Sequence, residues 1–157
     1  MHVSEMMRTD LVKVPPGETF EKLLVMEACM PMRQIYVVDE GGKMLGMITS
    51  YDLLAPMAPF YIDSNLVKAL PDDASVIRHA YNANAHKTAA DLMVTDVASL
   101  KPSGTFLEAD ILIREKGGNV LPVVDDDGRL VGEITRKVIL KYIALNVLGL
   151  GSGGEGR

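Results

Sequence analysis

Apolar residues along this chain come in short blocks separated by turn chemistry, and the spacing inside each block predicts its element. Leu11-Val12-Lys13-Val14 reads as a short strand closed by Pro15-Pro16-Gly17. Thr19 is a helix-capping residue type, and Phe20, Leu23, Leu24 and Met30 follow near helical spacing, with Met26 and Cys29 beside the stripe. Pro31 ends that helix. Ile35-Tyr36-Val37-Val38 is an apolar run short enough for a strand buried on both faces. Asp39-Glu40-Gly41-Gly42 supplies a hairpin turn, and Met44 to Thr49 returns as the partner strand. Gly46 inside that strand predicts a bulge or a close backbone approach. A helix starts at Ser50 and is cut short near Met57 by Pro56 and Pro59.

The same pattern returns at an offset of 86 positions, aligned without a gap from Glu5/Asp91 to Leu54/Leu140. Identities include Met7/Met93, Phe20/Phe106, Asp39/Asp125, Gly46/Gly132 and Thr49/Thr135. One structural unit is therefore used twice. The second copy predicts a lead-in at Ala89–Met93, a strand at Val97–Leu100, a helix at Phe106–Lys116, a hairpin of Val120–Val124 with Leu130–Thr135, and a last helix at Arg136–Leu148. Each copy reads β-α-β-β-α, an α/β (α+β) arrangement. A lone unit of about fifty residues has too little core to stand alone. Two copies packed sheet to sheet, with pseudo-two-fold symmetry, would solve this and open clefts where strand ends and helix starts converge. The expected organisation is a first unit at 1–57, a partly helical connector at 58–88, a second unit at 89–148 and a disordered glycine-rich tail at 149–157.

Composition narrows the function classes. A formal charge of −5 without a Lys/Arg cluster argues against nucleic acid or an anionic membrane as partner. Cys29 is the single cysteine, which excludes an internal disulfide and suits a reducing compartment. Glu5, Arg8 and Asp10 interrupt any apolar leader, and the apolar stretch from Val138 to Leu150 is too short to span a bilayer. A soluble, cytoplasmic protein is expected. Asp125-Asp126-Asp127-Gly128 fits a turn better than a metal loop, and His2, His79 and His86 are scattered. No nucleophile–base or paired-acid set stands out. The expectation is no enzyme, no metal and no catalytic cofactor.

The repeat resembles the CBS domain, the regulatory module named for cystathionine beta-synthase. The likeness rests on Ile35-Tyr36-Val37-Val38-Asp39 … Gly46-Met47-Ile48-Thr49 … Asp52, and on Leu121-Pro122-Val123-Val124-Asp125 … Gly132-Glu133-Ile134-Thr135. It covers nearly all of residues 3–57 and 89–145, as a stand-alone tandem pair. The resemblance implies sensing of an adenosine nucleotide (AMP, ADP or ATP) or S-adenosylmethionine in a cleft between the units, relayed to an unknown regulated protein. In such pairs a Thr-x-x-Asp motif opens the last helix: the Asp accepts the ribose hydroxyls, and the Thr and the helix start meet phosphate. Carried over, the first site uses Arg33, Thr49 and Asp52, facing Asp96, Val97, Ala98, Gly118 and Asn119. A second site uses Thr135 and the wall Asp10, Leu11, Val12, Met32 and Arg33. Val138 stands there in place of the Asp, so this site is expected to be the weaker. The alternative is a structural dimerisation module without ligand. In either case the resemblance implies a homodimer through the helices, with Leu53, Leu54, Ile139, Leu140 and Ile143 as seam candidates.

Overall fold

The structure is a computed structural model that describes residues 1–31, 34–57, 64–68 and 73–151. The elements in chain order are α1 (Val3–Met6), β1 (Val12–Val14), α2 (Phe20–Cys29), β2 (Ile35–Val38), β3 (Met44–Ile48), α3 (Ser50–Leu54), α4 (Ser64–Val67) and α5 (Asp73–Asn84). There follow α6 (Ala89–Leu92), α7 (Phe106–Lys116), β4 (Val120–Val124), β5 (Leu130–Thr135) and α8 (Arg136–Tyr142). A 3-10 turn at Ala55–Met57 prolongs α3, and a π-helical turn at Ile143–Val147 prolongs α8. The fold is mixed α/β with small sheets, as the pattern predicted. Most of the predicted tail, residues 152–157, lies outside the described residues.

Two compact cores form. The first comprises Val12–Glu40 and Leu45–Asp96; the second comprises Met1–Leu11, Gly41–Met44 and Val97–Arg157. In the first core the sheet order is β1-β2-β3, with β1 parallel to β2 in the register Val12–Ile35, Lys13–Tyr36 and Val14–Val37. Ile35, Tyr36 and Val37 are fully buried, as expected for a strand covered on both faces. Phe20 and Leu23 of α2, Ile48 of β3 and Leu53 of α3 pack on it. From α5, Tyr81 meets Phe20 with ring centroids 5.5 Å apart, so this helix between the repeats is part of the first core.

The second core is built on β4 and β5, antiparallel with Val120 opposite Thr135 and Leu121 opposite Ile134. Val3, Met6, Leu100, Ile113 and Ile139 fill it. The strand expected at Val97–Leu100 is absent: only Leu100 bridges Val123. Leu100 N–H donates to the Pro122 carbonyl at 2.9 Å and Val124 N–H donates back to Leu100 at 2.8 Å. The ladder stops there because the next rung, toward Ala98, needs an N–H from residue 122, and proline has none. Tyr36 holds the corresponding place in the first core, and there the ladder runs on.

The lead-in segments explain the strand glycines. Arg8 and Glu133 exchange both backbone hydrogen bonds at 2.9 Å, and Met47 and Val94 do the same at 3.0 and 2.9 Å. Each lead-in thus crosses the return strand of a hairpin at contact distance. A Cβ on Gly46 would lie 2.7 Å from Met93 Sδ and 2.8 Å from the Val94 carbonyl. On Gly132 it would lie 2.5 Å from Met7 Sδ and 3.0 Å from the Arg8 carbonyl. Close approach requires glycine at both places, and beside Gly132 the register of β5 against β4 also shifts, from Val123–Gly132 to Val124–Leu130. The repeats and the cores therefore divide the chain differently: residues 1–11 open the first repeat but belong to the second core.

Candidate ligand site

The first corner lies where β3 hands over to α3. Thr49 leaves the strand with extended backbone (φ −107°, ψ 167°) and caps the helix. Three bonds tie it to Asp52. Thr49 N–H donates to Asp52 Oδ2 at 2.8 Å, Thr49 Oγ1–H donates to the same oxygen at 2.9 Å, and Asp52 N–H donates to Thr49 Oγ1 at 3.4 Å. This is a capping box: it satisfies N–H groups that a helix start leaves without partners. The spacing Thr-x-x-Asp therefore has a structural use before any ligand is considered. Both side chains are half-buried. Among the described residues, Asp52 Oδ1 takes no hydrogen bond, so one carboxylate oxygen remains to accept from a ligand.

The second corner repeats the cap without the acid. Thr135 Oγ1 accepts from Val138 N–H at 3.1 Å, and half-buried Val138 offers nothing to a polar ligand. Here a cation is recruited instead. The Arg136 guanidinium donates to Asn119 Oδ1, and Arg136 N–H donates to the Asn119 carbonyl at 3.3 Å. Arg136 stands where the first repeat has Ser50, and the sequence reading missed it. The signal was there: at the shared offset, one repeat exchanges a small hydroxyl for a guanidinium.

The remaining candidates divide between the cores. Asp96 is exposed in the same core as Thr49 and Asp52. Half-buried Val97, Ala98 and Gly118 and exposed Asn119 belong to the second core, with Asn119 held by Arg136 beside Thr135. Exposed Asp10 and half-buried Leu11 are also in the second core, while Val12 opens β1 of the first. Met32 and Arg33 lie outside the described residues.

Two groups not anticipated from sequence are Glu27 on α2 and Gln34 before β2. Glu27 Oε2 and Gln34 Oε1 are buried and take no hydrogen bond among the described residues. Burial holds the Glu27 carboxyl above its ordinary pKa of 4.5. At the shared offset, Glu27 corresponds to buried Ile113. In the second core a cavity of about 390 Å³ lies between α7 and α8, lined in part by Asp110, Arg114, Gly118, Arg136 and Leu140. The Asp125 run forms a turn: Asp125 Oδ1 accepts from the Asp127 and Arg129 N–H groups, both at 2.9 Å. Among the described residues, no cluster of His, Cys, Asp and Glu has the makings of a metal site. Nor is any described helix long and apolar enough to cross a membrane.

The pattern of the CBS domain matches twice, over residues 3–58 and 89–145. The chain belongs to the CBS domain family. Among its relatives is CBS domain-containing protein CBSX2, chloroplastic, of Arabidopsis thaliana, 26% identical over 140 residues. That alignment covers 85% of this chain and 59% of the relative, so the chain spans less than two thirds of that protein. An uncharacterised protein of Methanocaldococcus jannaschii is 31% identical over 120 residues, covering 68% of this chain and 70% of the relative. The crystal structure of CBSX2 in complex with AMP superposes with a TM-score of 0.71 at 24% identity, covering 94% of this chain and 98% of that one. The cytosolic domain of the Mg2+ channel MgtE in complex with ATP gives 0.64 at 25% identity, covering 90% of this chain and 48% of that one. This is a CBS pair, and CBS pairs are regulatory modules whose structural neighbours include AMP and ATP complexes.

Proposed function

We propose that this CBS pair senses an adenosine nucleotide, AMP, ADP or ATP, or S-adenosylmethionine, and relays its level to a regulated protein without catalysing a reaction. The observation that carries this is Asp52: Thr49 occupies Oδ2, and Oδ1, which takes no hydrogen bond among the described residues, accepts the ribose hydroxyls in this reading. The Thr49 hydroxyl proton already goes to Asp52, so phosphate draws on Arg33 and the α3 backbone N–H groups, or on Thr49 after its hydroxyl turns. Asp96, Val97, Ala98, Gly118 and Asn119 supply the opposing wall in this reading. The site of Thr135, with Asp10, Leu11, Val12, Met32 and Arg33, is weaker: ribose hydroxyls left against Val138 without partners lose about 1–3 kcal/mol. Bound AMP in CBSX2 and bound ATP in the MgtE domain support the choice of ligand class.

The proposed assembly is a homodimer through the helical faces. A dimerisation module without ligand is the second reading, favoured by the exposed Leu54, Tyr51, Leu107 and Leu140. Two of the seam residues expected from sequence are corrected: Leu53 and Ile139 are 2% and 7% exposed and fill the cores, whereas Leu54 and Leu140 are each 67% exposed. Titration calorimetry with AMP, ADP, ATP and S-adenosylmethionine tests the sensing reading. One strong site per chain that disappears in Asp52→Ala is expected. No heat with any of the four, or full affinity in Asp52→Ala, refutes it. Sedimentation showing a monomer at concentrations of tens of micromolar refutes the dimer.

A further inference from the structure

The cavity of about 390 Å³ between α7 and α8 lies wholly within the second core. Its volume falls in the range of small-ligand sites, about 300–1,000 Å³. Thr135 and Val138 do not line it, and of the wall residues named for the first nucleotide site it shares only Gly118. Ile113 of α7 and Ile139 of α8 are 8% and 7% exposed and give it an apolar floor. Three charged side chains stand at its rim: Asp110, Arg114 and Arg136. Arg114 Nε lies 3.0 Å from Asp110 Oδ2, so these two satisfy each other. Arg136 has no such partner. Among the described residues its guanidinium donates only to the neutral amide oxygen of Asn119. A guanidinium is a planar fork of N–H donors, so most of its capacity is unspent. α8 contributes Arg136, Lys137 and Lys141 and no acid, and the local field therefore favours an anion.

The first repeat serves as an internal control. At the shared offset, Asp110, Arg114 and Arg136 stand where it has Leu24, Ala28 and Ser50. Ile113 stands where it has Glu27, and Gly118 where it has Met32. Capping and core positions such as Thr19/Thr105, Phe20/Phe106 and Thr49/Thr135 stay alike, so folding the unit does not call for these changes. Together they exchange an uncharged rim and an acid below it for a cationic rim and an apolar floor. We infer that this cavity binds a small monocarboxylate with an apolar body, the carboxylate on Arg136 and the body against Ile113 and Ile139. The fork of a guanidinium matches a carboxylate through two parallel hydrogen bonds. Such charge-assisted bonds are roughly twice as strong as the neutral bond to Asn119 that they displace. A phosphate dianion fits less well, because Arg114 is engaged by Asp110 and Asp110 repels the second charge.

Titration with isocaproate and with benzoate, followed by backbone amide NMR, is the experiment. The shifts are expected to saturate at millimolar concentrations and to centre on Gly117, Gly118 and Ile139. Benzamide, the uncharged relative of benzoate, is expected to bind roughly tenfold more weakly, and inorganic phosphate likewise. Arg136→Gln is expected to lose roughly tenfold in affinity, and Arg136→Lys less, because lysine keeps the charge and loses the fork. Arg136 is exposed, so both variants fold, and circular dichroism checks it. Shifts that show no saturation by about 20 mM with either acid overturn the site. Phosphate or benzamide binding as tightly as benzoate overturns the ligand class, and undiminished affinity in Arg136→Gln overturns the carboxylate contact. Displacement of benzoate by AMP would make the cavity part of the nucleotide site and overturns the inference as well.

Discussion

The two hairpin-to-helix corners share a backbone plan and differ in a few side chains. At the first, Thr49 and Asp52 form a reciprocal capping box; at the second, Thr135 caps alone, Val138 replaces the acid and Arg136 clasps Asn119. In the sensing reading proposed above, the contrast separates what the corner needs to fold from what it would use to hold a ligand. The threonine cap serves the helix in both copies. The acid adds a second cap bond and, in one copy only, a polar acceptor whose Oδ1 takes no hydrogen bond among the described residues. The crossing of the lead-in over the return strand shows the same economy: glycine is kept in both copies, while its neighbour pairs are Met47 with Val94 in one and Glu133 with Arg8 in the other.

The largest test of the shared plan is at those glycines. Gly46→Val and Gly132→Val are each expected to destabilise by about 1–3 kcal/mol in urea melts, since the new carbons meet backbone oxygen that cannot swing away. Gly46→Val is expected to be the worse, its nearest carbonyl being 2.8 Å away against 3.0 Å at Gly132. Melts that match wild type would show that the lead-ins are not held where they cross. The next test exchanges the corners. Asp52→Ala should lose about 1 kcal/mol without ligand, from the broken cap, and also the ligand-induced rise in Tm. Val138→Asp should gain a few tenths to about 1 kcal/mol by completing a capping box at the second corner. If Val138→Asp also adds a second calorimetric site, the acid alone decides which corner binds; if it only stabilises, Arg136 or the wall matters too.

A finer test concerns the missing rung. Pro122→Val restores an N–H facing Ala98, and that amide should be protected in hydrogen exchange. Exchange of the new amide at the rate of an open loop would mean that proline is not what ends the ladder. The smallest effect expected is at Glu27, where the other repeat has Ile113. Because burial raises its folded-state pKa, ionisation favours the unfolded chain, so the penalty appears as pH rises from about 4.5 through the raised value and persists above it. Glu27→Met should therefore raise Tm at pH 7, with the gain shrinking toward zero at pH 4. A gain that is the same at both pH values would assign the effect to packing instead.

Sequence alone determined the local physics. Two gapless copies, the hairpin turns with Gly42 and Gly128 at φ +84° and +81°, the strand blocks and the threonine caps all follow from neighbours close in the chain. The buried run Ile35–Val37 and the glycine at Gly46 were legible for the same reason, one as a strand covered on both faces, the other as a bulge or a close approach. Tertiary structure decided the rest, because it turns on which distant groups meet. Pro122 was visible as a residue without an N–H, but only the register aims the missing donor at Ala98 and deletes a strand. Leu53 and Leu54 are equivalent as letters, and the helix rotation sends one into the core and the other to the surface. Glu27 reads as an ordinary helix residue until packing strips the water from its carboxyl oxygen. That residues 1–11 join the second core could not be read from the repeat, since self-similarity gives the unit and not which partner each lead-in crosses.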